Sequence, residues 1–344
     1  MEKTVALSEN ESININQLND LLNKYIASVT PIISITRFAG GYSNLTYRLA
    51  TSNQNFVMRM APAGANIQSA HDMEREYKVL NTLQPFFNKV PLPILYYSHS
   101  DITGTPFYIM EEIEGIILRS YNAPKLNISP NQFEHCAKQL VETLAQIHTI
   151  DIETTKLIEL GKPAGYVNRQ VEGWIKRYFI AETDLIESMN QVAEWLKNNH
   201  PKEQSPSLLH NDFKYDNIVF NNDLTKVIAV LDWEMATVGD PLMDLGVMLA
   251  YWFEQDEEPI FQQYNCSWLP GNLSRSELID YYALLTKRDL TDINYYYVFG
   301  LFKNAVIAQQ IYHRYKNGFS KDERFGALLP LIKLLGKKAL NASC

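Results

Sequence analysis

The feature that most constrains this chain is a change of period. Early in the sequence, apolar residues alternate in "ISITRFAGGYSNLTYRLA" and again in "NFVMRMAP", which Pro62 closes, as strands require. From roughly residue 130 they recur three and four apart, in "FEHCAKQLVETLAQIHTI", "VEGWIKRYFIAE", "QVAEWLKNN" and "YYYVFGLFKNAVIAQQIYHRYKNG", which is helical spacing. After these β regions, "IQSAHDMEREYKVLNTLQ" predicts a helix stopped by Pro85, and "TPFYIMEEIEG" then predicts an apolar strand that ends in acids and Gly115. One β island interrupts the helical part: "NIVF", a turn at "NNDLT", then "KVIAVLDW". Strands first and helices after predict an α+β chain with a small β-rich N-terminal lobe (1–113) and a larger helical C-terminal lobe (114–344), hinged near 111–115.

Composition excludes several classes. The 344 residues are 46% hydrophobic and 20% charged, an ordinary globular balance, and the net charge of −8 without a Lys/Arg block argues against nucleic acid as a partner. Cys136, Cys266 and Cys344 are odd in number and far apart, so they predict neither a disulfide framework nor a zinc site and suit a reducing cytoplasm. The N-terminus lacks a basic, then apolar, leader pattern, and the most apolar stretch, "LMDLGVMLAYWF", is too short to span a bilayer and carries Asp244. The expectation is a cytoplasmic protein without a membrane partner; the sequence leaves its oligomeric state open.

The run "HNDFKYDNIVF" (210–220) carries the chemistry. If the island is an antiparallel hairpin, Asn217 opens its first strand and Asp232 closes its second, so two oxygen-bearing side chains reach one end, with Asp212 in the loop just before. Mg²⁺ takes a few such oxygens and leaves its other positions to water and phosphate. Phosphoryl transfer needs that metal and a carboxylate to orient the attacking hydroxyl. Taken singly, Asp212 would pass for a turn former and Asn217 for a strand-entry residue.

Together, His210-x-Asp212-x-x-x-x-Asn217 and the later Asp232 resemble the catalytic loop and metal motif of protein-kinase-like phosphotransferases. "GGYSNLTYRL", "FVMRMAP", "EREYKVLNTL", "GTPFYIMEEIEG", "LAQIHTID", "LLHNDFKYDNIVF" and "VLDWEMATVGDPLMDLG" follow in that order, and the chain is similar over roughly 33–320 to the aminoglycoside phosphotransferase (APH) family. The branch it most resembles is that of the kinase domains fused to acyl-CoA dehydrogenases and their stand-alone bacterial relatives. The resemblance implies a bilobal protein-kinase-like fold and an Mg²⁺- and ATP-dependent phosphotransferase, with GTP not excluded. It makes Asp212 the catalytic base, His210 a prop of the catalytic loop, and Asn217 and Asp232 the metal ligands. Glu234 is either a further metal ligand or a support for the site, and Lys214 either touches the transferred phosphate or faces solvent. Asp244 would hydrogen-bond the catalytic loop and hold it. Gly40 and Gly41, with Ser43 and Asn44, would let the backbone approach phosphates, although a plain hairpin turn reads the same way.

Kinase-like folds place a Lys on the third strand; here Arg59 stands there, and the two are not interchangeable. Its helix partner follows from geometry. At about 100° per residue Glu76 falls within the stripe of Met73, Tyr77, Leu80 and Leu83, whereas Glu74 points away. The positions Glu111, Glu112 and Ile113 would offer backbone groups to a purine. Because "DWEMATVGDPLMDL" runs straight into a helix, no room is left for the activation segment of a protein kinase, so the expected acceptor is a small molecule bearing a hydroxyl. Arg169, Lys176 and Arg177 among Tyr166, Trp174 and Tyr178 could grip an anionic acceptor such as a hydroxyacyl-CoA, or form the solvated face of an amphipathic helix. An antibiotic kinase and a non-catalytic nucleotide-binding protein are the alternatives.

Overall fold

The computed structural model describes residues 4–7, 13–26, 29–38, 44–62, 72–320 and 322–344. It divides into two compact units: Met1–Ile117 with Val219–Asp223 and Val227–Ala236, and Leu118–Ile218 with Leu224–Lys226 and Thr237–Cys344. The division is therefore not one cut after residue 113, because most of the β island belongs with the N-terminal residues.

The first unit contains β1 (Thr4–Val5), α1 (Ile15–Tyr25), β2 (Ser34–Phe38), β3 (Leu45–Ala50), β4 (Asn55–Met60), α2 (Met73–Leu83), β5 (Pro93–Tyr97) and β6 (Phe107–Glu111). Its sheet has the order β1-β2-β3-β4-β6-β5, with every neighbouring pair antiparallel. The alternation of β4 decides its two faces. Phe56, Met58 and Met60 join Leu18, Leu21 and Leu22 of α1 in one apolar core, which leaves Val57 and Arg59 for the other face, where α2 packs against β5 and β6. Helix α2 begins at Asp72, whose side chain accepts from the Arg75 amide, and stops before Pro85 as the sequence predicts.

The second unit contains α3 (Pro130–His148), α4 (Tyr166–Ile180), α5 (Glu187–Asn198) and β7 (Ser207–Leu209). After the island, which forms a two-stranded sheet of β8 (Ile218–Phe220) and β9 (Val227–Val230), it continues through β10 (Thr237–Gly239), α6 (Pro241–Tyr251), α7 (Arg275–Thr286), α8 (Ile293–Lys316) and α9 (Leu328–Ala342). Strand β10 pairs antiparallel with β7. Helices α6 and α8 cross at Gly246 and Gly300; a Cβ on Gly246 would lie 2.3 Å from the Tyr296 carbonyl oxygen, so only glycine permits this approach. Among the described residues no helix is long and apolar enough to cross a membrane.

Candidate active site

From Asn211, itself buried, to Asn217 the chain alternates like a strand without being one. His210, Phe213, Tyr215 and Asn217 are buried, while Asp212, Lys214 and Asp216 are partly exposed. The buried members anchor the loop. Tyr215 stacks on Trp252 with centroids 5.2 Å apart and donates its hydroxyl to Asn272 Oδ1 at 2.8 Å. Phe213 meets the His210 ring edge-on, and His210 Nδ1 accepts from the Asp212 amide at 3.2 Å. His210 thus supports the loop through the backbone.

The outward members form a compact charge cluster. Lys214 Nζ lies 3.0 and 2.8 Å from the two Asp212 carboxylate oxygens and 4.5 Å from the centre of the Tyr251 ring. Asn217 Nδ2 donates to the Asp212 backbone carbonyl at 2.8 Å and to its carboxylate at 3.0 Å. Both bonds use the Asn217 amide nitrogen and not its oxygen. Burial pushes the Asp212 carboxyl up, but Lys214, with Lys303 and His210, more than offsets this and holds it below the ordinary carboxylate range.

Asp212 follows a residue in an uncommon conformation. Asn211 has φ 65°, in the left-handed region that asparagine tolerates better than most residues. Three helices hold it there. Asp244 of α6 accepts from the His210 and Asn211 amides at 2.6 and 2.8 Å. Tyr166 of α4 donates to Asn211 Oδ1 at 3.2 Å, and Lys303 of α8 donates to the Asn211 carbonyl at 2.5 Å. Asp244 is itself fixed by His148, whose Nε2 lies 3.2 Å from its carboxylate and whose Nδ1 lies 2.7 Å from the Tyr282 hydroxyl. Burial lowers the His148 pKa despite Asp244, so the neutral ring donates from Nε2 and accepts at Nδ1. His148 is a structural partner of Asp244, more than the helix-end packing its sequence position implies.

The first unit holds the other acids. Arg59 donates to Glu76 at 2.6 Å, to Asp232 at 3.0 Å and to Glu234 at 3.3 Å. Asn44 Nδ2 donates to Glu234 at 2.6 Å. Glu76 is 1% exposed, and burial drives its carboxyl upward against the pull of Arg59. Arg75 of α2 donates to the backbone carbonyls of Glu234 and Ala236 and so fixes the segment that bears the acids. Asp232 has φ 67° and so shares the left-handed conformation of Asn211. Three carboxylates thus face one guanidinium, which leaves an excess of negative charge on hard oxygens, the donor type that Mg²⁺ takes. Among the described residues no group of three or more His, Cys, Asp or Glu side chains is arranged to hold a metal ion by itself.

At the expected hinge, Glu111 Oε1 accepts from the Leu92 amide and Glu112 accepts from Arg48 Nε. The backbone amides of Glu111 and Glu112 donate to the carbonyls of Leu92 and Asn55. These bonds leave Ile113 as the one of the three whose amide is not committed to them. Gly40, Gly41 and Ser43 lie outside the described residues. On α4, Arg177 Cζ sits 4.7 Å from the Trp174 ring centre, while Arg169 turns back onto the carbonyls of Lys162 and Ala164. Sequence reasoning missed Asn211, Lys303 and Arg75; each works largely through backbone groups, so its residue type gives no signal, even inside a quoted motif.

The family model described as the phosphotransferase enzyme family APH matches residues 34–278. Acyl-CoA dehydrogenase family member 11 of Homo sapiens is 36% identical over 95% of this chain, and family member 10 of Mus musculus 33% identical over 87%. The chain spans 42% and 28% of those relatives, less than half of either. Among solved structures, a Ralstonia eutropha protein classed with the aminoglycoside phosphotransferases is 27% identical, with TM-score 0.81 over 96% of this chain and 98% of its own. A spectinomycin phosphotransferase in complex with ADP and spectinomycin shares the fold at TM-score 0.59 and 14% identity, covering 96% and 98% of the two chains. The chain belongs to the APH phosphotransferase enzyme family.

Proposed function

We propose that this protein is an Mg-ATP-dependent kinase that transfers the γ-phosphoryl group to a hydroxyl of a small molecule. The observation that carries the reading is the Asp212 carboxylate, gripped by Lys214 and Asn217 on a loop anchored by buried aromatic side chains. Asp232 and Asn217, with Glu234, would hold Mg²⁺, which when bound neutralises charge on the nucleotide phosphates. Asp212 does the proton chemistry. Its lowered pKa keeps it ionised at neutral pH, so it orients the acceptor hydroxyl and takes its proton late, as a dissociative transfer allows. Lys214, beside that carboxylate, would meet the transferred phosphate. Arg59 stands where kinases clamp the α- and β-phosphates, with Glu76 fixing it.

For the acceptor we favour an anionic hydroxylated molecule of the hydroxyacyl-CoA type. Support comes from the exposed Arg177 on the Trp174 ring and from relatives named for acyl-CoA dehydrogenases. The test is an acceptor panel (hydroxyacyl-CoA, aminoglycosides, simple alcohols) with Mg-ATP and Mg-GTP, run beside Asp212→Asn. We expect transfer to the acyl-CoA acceptor and a loss of about 10²- to 10⁴-fold in the variant. Transfer that survives the substitution refutes the base, and nucleotide binding without transfer to any acceptor refutes the kinase.

A further inference from the structure

Helix α8 places Lys303 where a lysine is costly. The residue is 2% exposed, and its Nζ donates to the Asn211 carbonyl at 2.5 Å. Among the described residues no carboxylate lies within ion-pair distance of it. Its ammonium lies 5.6 Å from the centre of the Trp174 ring, which Arg177 also contacts. The charges that act on it are Asp212 and Lys214 from the loop, Asp244 from α6 and Arg177 from α4. Burial pulls its pKa down to about 8, against the two carboxylates. An apolar side chain would fill the same space without that penalty.

What the lysine holds explains its presence. The carbonyl it binds belongs to the left-handed residue directly before Asp212, and the amide of that residue is held by Asp244. Two carboxylates, Asp212 and Asp244, therefore flank one short turn. Lys214 is the cation paired directly with Asp212, and it is the one that an arriving phosphate would draw away. Lys303, buried and tied to the backbone, stays. We propose that Lys303 is a positioning residue for phosphoryl transfer: its ammonium on the Asn211 carbonyl holds the left-handed turn and keeps Asp212 aimed while Lys214 serves the phosphate. The proposal rests on Asp212 being the base.

The test compares Lys303→Met and Lys303→Arg with wild type in two readouts: turnover of Mg-ATP, with water and with the acceptor panel, and amide hydrogen exchange over 205–220. In Lys303→Met, kcat falls by about tenfold or more while KM for ATP stays within about twofold, and exchange in the loop quickens. Lys303→Arg restores both in part. Wild-type turnover declines above about pH 8, a limb that moves to higher pH with arginine and is absent with methionine. Unchanged kcat and exchange in Lys303→Met overturn the proposal, and so does a loss that lies wholly in KM. Wild type that turns over no ATP with any acceptor defeats the kinase reading instead, and Lys303's hold on the turn is then judged by the exchange alone.

Discussion

Replacing Lys303 with methionine removes a charge that the fold keeps at a loss, and the size of that loss depends on pH. In the unfolded chain the ammonium titrates at its ordinary 10.5, whereas in the folded protein burial brings it down to about 8. Between those values the unfolded state binds more protons, so wild-type stability rises with pH. The penalty of about 3 kcal/mol is fully present below pH 8 and gone above 10.5. Methionine carries no such penalty but leaves the Asn211 carbonyl without its donor, at about 1–3 kcal/mol. The two effects nearly cancel near neutrality, so Lys303→Met folds. Their difference shows in the trend. From pH 7.5 to 9.5 the stability of wild type should gain about 2 kcal/mol on that of the variant. Urea unfolding of both proteins at several pH values measures this, and tyrosines and other lysines that titrate in both cancel in the comparison. A gap that stays constant across this range would refute the reasoning.

The Arg59–Glu76 pair is buried, so Arg59→Met should cost about 3–5 kcal/mol by stranding Glu76, and Arg59→Met with Glu76→Met should recover much of it; equal losses in single and double variants on chemical denaturation would contradict the pairing. His148 is held neutral beside Asp244, its pKa below the ordinary 6.5. As pH falls below 6.5 the unfolded state takes up a proton that the folded state resists, so wild type should lose stability relative to His148→Gln. Thermal melts from pH 5 to 7.5 check this, and parallel curves would count against a neutral His148.

The loop at 210–217 was legible because its functional groups are compressed into eight residues. His210, Asp212, Lys214 and Asn217 come together within 210–217, and the loop that joins them is short enough for spacing to imply proximity. Glu76 was legible for a different reason: helical phase alone separates it from Glu74, and the structure puts it against Arg59. Residues 93–97, β5 in the structure, were not, because prolines and tyrosines blur the alternation of "VPLPILYY". Helices α1, α7 and α9 likewise lie outside the segments that the patterning marks.

By itself, the sequence determined the α+β order, the residues of the loop and the inward glutamate, because each follows from periodicity or from neighbours a few positions apart. Only the tertiary structure decided what surrounds Asn211, since Tyr166, Asp244 and Lys303 come from helices 45, 33 and 92 residues away. Only it put Arg59 against Asp232 and Glu234, across 173 and 175 residues. A buried lysine that serves a backbone carbonyl leaves no periodic trace, because its partner is a group that every residue possesses.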